Sequence, residues 1–417
     1  MHRFFRGAMP GEASIAHRSE LGLRGKKCTN AAENADAMIP ERRDFLNEGR
    51  ISPVGEVSGA FGDLGTFLPY VVAAVSVGLM APTPVLLGFA AGYLLVAVVY
   101  RLPIAVQPMK AIGALMLAGA LSSQDIAWAG AVIGAALLVF AAVPALGSAA
   151  RAVPQSVVAG LQAGLGLVLL LIAVDYMRGS WALAVPALAC LACAYVWPRG
   201  PWAILVVAGG MLLAPAGAGP EAVPSIPSPS ADPLSVLSAV VAQLPLTLLN
   251  AIVVTAAVAH ELFPQTRSTV SMRKLAATSG ILNLALAPFG AMPMCHGAGG
   301  VAAHHRFGAR GIGAPLLIAM LCLVGAAAGP TVIEVLARIP DAVIGALLAF
   351  AALDLILSRR VFDARPDCQP VIAAAAVATL AGGAFLGLVV GLAAETLRGH
   401  IARKRSSRTA GPPHHRN

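Results

Sequence analysis

Charged residues are scarce in this sequence, and so are aromatic ones. Asp, Glu, Lys and Arg make up 12% of the 417 residues and Phe, Trp and Tyr make up 5%, whereas 58% of the residues are hydrophobic. Soluble globular domains carry about 25% charged residues. The apolar stretches consist mainly of Ala, Leu, Val and Gly, small side chains that let membrane helices pack closely. This composition excludes a soluble domain and predicts an integral membrane protein.

The two ends of the sequence lack long apolar runs and hold much of its positive charge. Nine of the 29 Lys and Arg residues precede Ile51 and six follow Leu397. Residues 1–50 contain no apolar segment of the kind that a signal peptide requires, so we interpret them as a disordered cytoplasmic tail. Residues 398–417 are interpreted as a second, basic cytoplasmic tail, too short for a soluble domain. The net charge of +9 thus belongs to the flanks of a membrane domain, and we expect no nucleic-acid partner.

Apolar segments fill the chain between these tails. We expect a first transmembrane repeat over 51–217 and a second over 234–397, separated by a Pro- and Ser-rich linker at 218–233. The predicted spans lie at 54–80, 84–100, 105–121, 126–144, 154–175, 181–197, 202–217, 235–262, 275–290, 293–305, 312–329, 341–358, 369–382 and 384–397. Several are shorter than the roughly 20 residues that a helix needs to cross a bilayer, which suits half-helices buried within protein.

The placement of Arg and Lys supports about fourteen spans. With both termini cytoplasmic, eleven basic residues fall in cytoplasmic loops, and only Arg178 and Arg338 fall on the opposite side. Cytoplasmic loops of membrane proteins carry such an excess. The predicted fold is therefore an all-α polytopic protein of the cell (inner) membrane with seven spans in each half. Two serial halves with an odd number of spans have opposite orientations in the bilayer, so they form an inverted repeat.

Two interrupted segments at matching places in the halves indicate the functional site. Residues 105–114 and 291–306 are rich in Gly or polar side chains, and each contains a Pro-Met pair. In the second segment a helix is expected to begin at Pro293, since Pro is favoured at the first helical position. Helices that begin inside a membrane protein direct free N–H groups and a positive dipole end toward an anion. We therefore expect two half-helices that meet near the bilayer midplane; the alternative is two ordinary kinked helices.

Two charged residues lie inside predicted spans. Asp63 is surrounded by three glycines and Pro69, which would unwind the first span near mid-membrane, and Lys110 falls in the first turn of the first half-helix. A charge at the centre of a span costs roughly 2.5–3.5 kcal/mol and usually faces a partner or water. We interpret Lys110 as attracting an anion and Asp63 as tuning or gating the site. The alternative is a structural Asp63–Lys110 ion pair without a ligand.

Neutral polar residues mark the matching span of the second half. Gln243, Thr247 and Asn250 follow one another at helical spacing and so share one helix face. They are either ligand donors or hydrogen-bonding contacts between helices, and the sequence does not separate these alternatives. His296, next to the second Pro-Met pair, could donate a hydrogen bond or titrate.

Catalytic and metal-binding patterns are missing. His260-Glu261 begins like the HExxH motif of zinc proteases, but Pro264 stands where the second His belongs. No nucleophile–base pair is recognisable either. We therefore expect no enzyme activity, no cofactor and no bound metal.

Five motifs, in order between about 51 and 397, resemble the molybdate transporters related to the sulfate permeases. They are Gly62-Asp-Leu-Gly-Thr-Phe-Leu-Pro69, Val106-Gln-Pro-Met-Lys110, Gln243-Leu-Pro-Leu-Thr247 with Asn250, Glu261-Leu-Phe-Pro264, and Phe289-Gly-Ala-Met-Pro-Met-Cys-His-Gly-Ala-Gly-Gly300 continuing to Arg306-Phe-Gly-Ala-Arg310. The resemblance implies a seven-plus-seven inverted repeat, divided into a core and a gate, with a tetrahedral oxyanion held between the two half-helices. Sulfate permeases generally carry a C-terminal regulatory domain, which has no counterpart here, and this favours the molybdate branch. Leu248 and Ala251 stand where more polar residues are expected, so selectivity is left open.

The predicted substrate-binding residues combine these observations with the resemblance. They are Asp63, Thr66, Gln107, Lys110, Gln243, Thr247, Asn250, Cys295, His296, Gly297, Ala298 and Gly299. Molybdate and sulfate are dianions without a proton at neutral pH, so hydrogen-bond donors alone can satisfy them.

The sequence thus predicts a transporter of a tetrahedral oxyanion, molybdate first and sulfate second, that works by alternating access. Moving a dianion into a negative cell costs about 2.3 kcal/mol per charge per 100 mV, so coupling to protons through Asp63 or His296 is a further hypothesis. The alternatives are a carrier of the same architecture for a nucleobase or an organic anion, and an oxyanion sensor that does not transport. The oligomeric state is left open, with a homodimer as one option.

Overall fold

The computed structural model describes residues 51–76, 78–143, 154–196, 202–213, 231–264, 269–336, 338–357, 361 and 364–409. The tail predicted at 1–50, most of the linker predicted at 218–233 and the last eight residues of the basic tail lie outside these ranges.

The first half of the described chain is helical except for one short strand. Its elements are α1 (Pro53–Ala60), a 3-10 turn (Phe61–Asp63), α2 (Leu64–Ser76), α3 (Pro82–Val99), β1 (Val106–Pro108), α4 (Lys110–Leu117), α5 (Ser123–Ala142), α6 (Gln155–Met177), α7 (Trp181–Val196) and α8 (Trp202–Leu213).

The second half has a similar order of elements. They are α9 (Pro233–Leu246), a π-helix (Thr247–Val254), α10 (Thr255–Leu262), α11 (Met272–Leu286), a 3-10 turn (Ala287–Phe289), β2 (Met294–His296), α12 (Ala298–Arg306), α13 (Gly313–Ala327), α14 (Pro330–Leu336), α15 (Asp341–Ile356) and α16 (Gln369–Thr409). Gly383, at φ +82°, breaks α16 where the sequence predicts a boundary between two spans. Its second part continues beyond Leu397, into the predicted basic tail.

Helix starts coincide with capping residues. A capping box begins α5, in which Ser122 accepts the Asp125 N–H at 3.2 Å and Asp125 accepts the Ser122 N–H at 2.8 Å. Asp232 caps α9 by accepting the Ser235 N–H at 2.9 Å. The second carboxylate oxygen of Asp125 accepts the Asp232 N–H at 2.7 Å. The starts of α5 and α9 are therefore tied together across the two halves.

The first long apolar segment is broken where the sequence predicts it. The 3-10 turn that ends at Asp63 separates α1 from α2, and the segments Pro53–Asp63 and Thr66–Val75 are bent by 54°. The glycines around Asp63 allow this break, and Gly62 also allows close packing: a Cβ there would lie 2.9 Å from the Ala303 carbonyl oxygen.

Five helices of the described chain are long and apolar enough to cross a membrane, and the bent segment would make a sixth. The five are Pro82–Val99, Ser123–Ala142, Gln155–Met177, Pro233–Leu262 and Gln369–Arg403. Trp181–Cys193, Gly313–Ala327 and Asp341–Leu353 are shorter apolar helices. The protein is therefore a mostly helical multi-pass membrane protein, and the count of fourteen spans stays a prediction.

The helices form two packing groups. The strand group packs α3–α5, α9–α13, β1 and β2 around one hydrophobic core. The second group packs α6, α7, α8 and α15 around another, and α16 lies along α6. Val158 and Leu165 of α6 also belong to the first core. Helix α2 lies between them, because Val71 and Ala74 belong to the first core whereas Tyr70 and Ala73 belong to the second.

Two predictions are corrected by β1 and β2. The chain is not all-α, and the second half-helix begins at Ala298 instead of Pro293. The physical reason is that a residue before Pro is pushed toward extended backbone, which applies to Gln107 and to Met292. Buried extended backbone must then pair its N–H and C=O groups, and the two segments pair with each other.

Candidate functional site

Strands β1 and β2 bring the two interrupted segments together. They pair antiparallel, with Gln107 beside Cys295 and Pro108 beside Met294, and the Met109 N–H donates to the Pro293 carbonyl at 2.9 Å. Each strand leads into a short helix, β1 into α4 and β2 into α12. Because the strands are antiparallel, the N-terminal ends of the two helices approach the ladder from opposite ends and face each other. Two half-helices are therefore present, and the alternative of two kinked helices is excluded.

Asp63, Thr66 and Gln107 form a hydrogen-bonded cluster at this ladder. Gln107 Nε2 lies 2.7 Å from both carboxylate oxygens of Asp63 and 2.9 Å from Thr66 Oγ1. Thr66 Oγ1 also donates to the Asp63 carboxylate. Asp63 is 4% exposed and Gln107 is 5% exposed. The cluster ties β1 to the break in the first segment, so two motifs that are 44 residues apart form one site.

Two glycines let α12 approach this cluster. A Cβ on Gly297 would overlap the Gln107 side chain, and a Cβ on Gly300 would lie 2.5 Å from Asp63 Oδ2 and 2.6 Å from Gln107 Nε2. Gly299 differs, because it is exposed and a Cβ added to it would have no atom within 4 Å. Open space therefore adjoins the first turn of α12, where N–H groups have no partner within the helix and attract anions.

Lys110 brings a positive charge to the same place. It is the first residue of α4 and is half-buried, and its charge interacts with Asp63 and with Cys295. Cys295 is a free, half-buried thiol beside Gln107 in the ladder. A cation and two helix N-termini thus converge on one region, and this arrangement favours an anionic ligand.

Gln243 has both ends of its amide engaged within the protein. Its Oε1 accepts the Ala111 N–H at 2.8 Å, and its Nε2 donates to Thr247 Oγ1 at 2.9 Å. Gln243 and Thr247 are both buried. Gln243 therefore satisfies one free N–H at the start of α4 and holds α9 against it.

Asn250 lies in the π-helix that interrupts the long segment between α9 and α10, and it is half-buried. The π-helix packs beside β2 and α12. Such insertions are rare and occur frequently at functional sites. The sequence predicted the polar face of this segment without predicting the π-helix.

His296 is engaged at both ring nitrogens. Its Nδ1 lies 3.1 Å from the Ala105 carbonyl oxygen, and its Nε2 lies 2.7 Å from Thr278 Oγ1. Thr278 Oγ1 is also 2.7 Å from the Tyr100 hydroxyl, and the Tyr100 and His296 rings meet edge to face at 5.7 Å. His296 is 1% exposed. The structure therefore places it behind β2, where it fixes the strand.

The predicted binding residues thus divide into two sets. Those that keep part of their surface exposed are Thr66, Lys110, Asn250, Cys295 and Gly299. Those that are buried are Asp63, Gln107, Gln243, Thr247, His296, Gly297 and Ala298. The first set keeps part of its surface exposed, whereas the second set packs among the strands and helix ends.

Asn283 is a site-building residue that the sequence reasoning missed. Its Nδ2 donates to the Met294 carbonyl at 2.6 Å, and its Oδ1 accepts the Met294 N–H at 2.8 Å. The side-chain amide therefore pairs with the backbone of β2 as a neighbouring strand would. An isolated Asn within the apolar run Ile-Leu-Asn-Leu was the available signal.

Glu56 was missed as well. Its Oε1 accepts the N–H groups of Arg310 and Gly311, both at 2.7 Å, and its Oε2 accepts the Ala314 N–H at 2.8 Å. This buried carboxylate therefore caps the start of α13 and fixes the loop that follows α12. A single acid at the edge of the first span was its only signal in the sequence.

The described residues contain no group of three His, Cys, Asp or Glu side chains that could hold a metal ion. The arrangement instead offers donors and positive charge around an open space. Such an arrangement is suited to an anionic ligand.

Comparison with known proteins gives three kinds of similarity. A family model described as "Molybdate transporter of MFS superfamily" matches residues 55–169 and 235–355. Molybdate transporter 2 of Arabidopsis thaliana is 27% identical over 401 residues, covering 81% of this chain and 85% of the relative. Molybdate transporter 1 of the same plant is 28% identical over 399 residues, covering 82% and 87%.

Among solved structures, the transmembrane domain of a cyanobacterial bicarbonate transporter superposes with a TM-score of 0.59. The match covers 82% of this chain and 98% of that domain at 16% sequence identity. At this identity the similarity shows the fold alone.

Proposed function

This chain belongs to the molybdate transporter family, a family of membrane transporters and not of enzymes, and we propose that it carries molybdate across the membrane by alternating access. The observation that carries this proposal is the antiparallel pairing of β1 and β2, which aims the N-termini of α4 and α12 at one region beside Lys110. A dianion is the ligand that such a region attracts.

The binding mode follows from the donors. Molybdate has four oxygens that only accept hydrogen bonds, so free N–H groups of α12, the Lys110 ammonium, and the Thr66 and Asn250 side chains are its proposed partners. Gln107, whose Nε2 donates to Asp63, keeps that carboxylate engaged within the protein. Gln243 and His296 act behind the site by holding α4 and β2.

Alternating access is proposed as a movement of the strand group against the second group. The two groups have largely separate hydrophobic cores, with α2 between them, which supports movement as two bodies. We further propose seven spans in each half, related as an inverted repeat over 51–217 and 234–397. Both termini are proposed to be cytoplasmic, in the inner membrane, on the basis of the Arg and Lys distribution.

Sulfate is the second proposed substrate, because it has the same charge and the same tetrahedral geometry. Proton coupling is proposed because each proton carried with a dianion cancels one charge that would otherwise cost about 2.3 kcal/mol per 100 mV. A homodimer stays a prediction, which the mass of the purified protein in detergent would test.

The test is uptake of radiolabelled molybdate into proteoliposomes, with sulfate as competitor. Lys110→Ala is expected to abolish saturable uptake, since it removes the cation at the start of α4. Arg178→Ala is the matched control, because Arg178 is exposed and pairs only with the neighbouring Asp175 in its described contacts. Equal competition by sulfate would indicate a general oxyanion carrier. A folded wild-type protein without molybdate flux would refute the proposal and favour a nucleobase or organic-anion carrier.

A further inference from the structure

A second histidine, His304, lies on α12 and packs against the segment that carries Asp63. His304 is 1% exposed, and its Nδ1 lies 2.7 Å from the Gly59 carbonyl oxygen. Because a carbonyl only accepts, Nδ1 carries the proton in this contact. Its Nε2 is buried and has no hydrogen-bond partner among the described residues. A buried ring nitrogen without a partner is costly, and imidazole is the side chain that proteins commonly use to shuttle protons.

Three contacts place His304 and Asp63 on facing sides of two packed segments. Gly59 meets His304 through the hydrogen bond, a Cβ on Gly62 would meet Ala303, and a Cβ on Gly300 would meet Asp63. The segments thus run antiparallel in contact. His304 is one helical turn beyond Gly300, so both face the segment that carries Asp63.

We propose that His304 and Asp63 form a buried acid–base pair that binds the proton transported together with the oxyanion. The inference rests on the proposed function, and it specifies the residues of the coupling. The proton comes from the aqueous phase on one side, is held by the pair while the dianion occupies the half-helix site, and leaves on the other side. No covalent bond to the substrate is made or broken. A negative charge at the N-terminus of α12 favours the protonated pair, so proton and dianion bind cooperatively.

Other titratable groups around α12 are engaged differently. On α1, Glu56 accepts three backbone N–H groups of the loop before α13. On α10, His260 Nε2 lies 2.7 Å from the Val270 carbonyl oxygen, and Glu261 is half-buried next to it. The π-helix carries no titratable side chain.

The remaining charged groups belong to α12, to the loop after it and to the start of α4. The His305 ring packs edge to face on Phe263 at 5.2 Å. Arg310 donates to the carbonyl groups of His305 and Ala309, and Arg306 is exposed at the end of the helix. Lys110 faces the cluster from α4. Among these groups, only His304 combines burial, contact with the Asp63 segment and an available ring nitrogen.

The experiment measures molybdate flux in proteoliposomes in two modes. Net uptake is driven by an imposed pH gradient, acid outside, and exchange is measured between equal pools at equal pH. If one proton is coupled to each dianion, a gradient of about one pH unit changes the equilibrium ratio of molybdate across the membrane about tenfold. His304→Asn keeps a donor for the Gly59 carbonyl and removes the titratable nitrogen. It is expected to retain exchange within about threefold and to lose the acceleration by the gradient. His400→Asn, at an exposed histidine near the chain end, is the control and should respond like wild type.

The outcomes separate this proposal from the proposed function. Gradient-driven uptake by His304→Asn that equals wild type would overturn the role of His304. Wild-type molybdate flux that does not depend on the pH gradient would overturn the proton coupling and leave the transport function intact. The absence of any wild-type flux would refute the proposed transport function itself. If His304→Asn does not fold, a measurement on the wild-type protein tests the proposal instead. Wild-type protein in weakly buffered detergent should take up protons when molybdate is added, and a null result with bound molybdate would refute the pair.

Discussion

One amide nitrogen of Gln107 lies 2.7 Å from both carboxylate oxygens of Asp63. Gln107 belongs to β1 and Asp63 ends the 3-10 turn in the first segment, so the contact joins the ladder to the only break in that segment among its described residues. A buried carboxylate requires such donors. The contact therefore couples the geometry of the ladder to the charge state of Asp63.

Gln107→Glu replaces this donor by a second carboxylate. Two neighbouring carboxylates repel when both are ionised, whereas one shared proton restores a donor between them. We expect molybdate uptake to fall about tenfold or more at about pH 7.5 and to recover partly at about pH 5.5. Gln107→Leu, which removes the donor without adding charge, should stay inactive at both pH values. Uptake by Gln107→Glu with the pH profile of wild type would show that the contact does not matter.

Gly300→Ala tests the close approach of α12 to the cluster. Ala favours a helix over Gly by about 1 kcal/mol, yet the added Cβ would meet Ala105, Asp63 and Gln107 at 2.4–2.6 Å. Overpacking of this kind costs about 1–3 kcal/mol, so we expect a lower thermal unfolding midpoint in detergent. Gly299→Ala is the matched control for stability, since it has no neighbour within 4 Å, and it should be neutral or stabilising. Equal midpoints for the two variants would contradict the packing.

Asn283→Leu should weaken β2. The substitution leaves the N–H and C=O of Met294 without the side chain that pairs with them, and each unpaired buried group costs about 1–3 kcal/mol. Ser279→Ala is a control from one turn earlier in α11. The buried Ser279 hydroxyl has no hydrogen-bond partner among the described residues, so its removal should be neutral or stabilising. Thermal unfolding followed by size-exclusion chromatography would measure the stability of both variants. An unfolding midpoint of Asn283→Leu equal to that of wild type would show that this amide does not stabilise β2.

The ion pairs of Asp367, outside the apolar segments, predict that the stability of the protein depends on pH. The Arg365 guanidinium, at 2.6 Å, lowers the pKa of the Asp367 carboxyl, and Arg398, at 2.7 Å, adds to this effect. A lowered pKa means that the contribution to stability is fully present above the ordinary value of about 3.9 and is lost as the pH falls through the lower value in the folded protein. Solvent screens this exposed cluster, so the effect is small. Asp367→Asn should lower the unfolding midpoint at about pH 7 and lower it less at about pH 2.5; equal differences at both pH values would contradict the ion pairs.

Local pattern was enough to predict most helices and the break at Asp63. Long apolar runs form helices in a membrane because each backbone group is then satisfied within its own segment, and glycines next to a charge weaken the helix at that point. The two Pro-Met segments were also recognisable as partners, since they recur at matching places in the halves. The sequence did not predict the strands, because three extended residues carry little signal unless the pairing segment is known.

The amino-acid sequence by itself therefore determined a membrane protein with two interrupted segments, a cation at the start of one half-helix and glycines at the start of the other. Tertiary structure alone decided which polar groups meet. It placed Gln243 on the Ala111 N–H, His296 behind β2 on Thr278, and His304 against the Asp63 segment. The physical reason is that a hydrogen bond depends on distance and direction between groups that are 18 to 245 residues apart in the chain, and neither is encoded in local spacing.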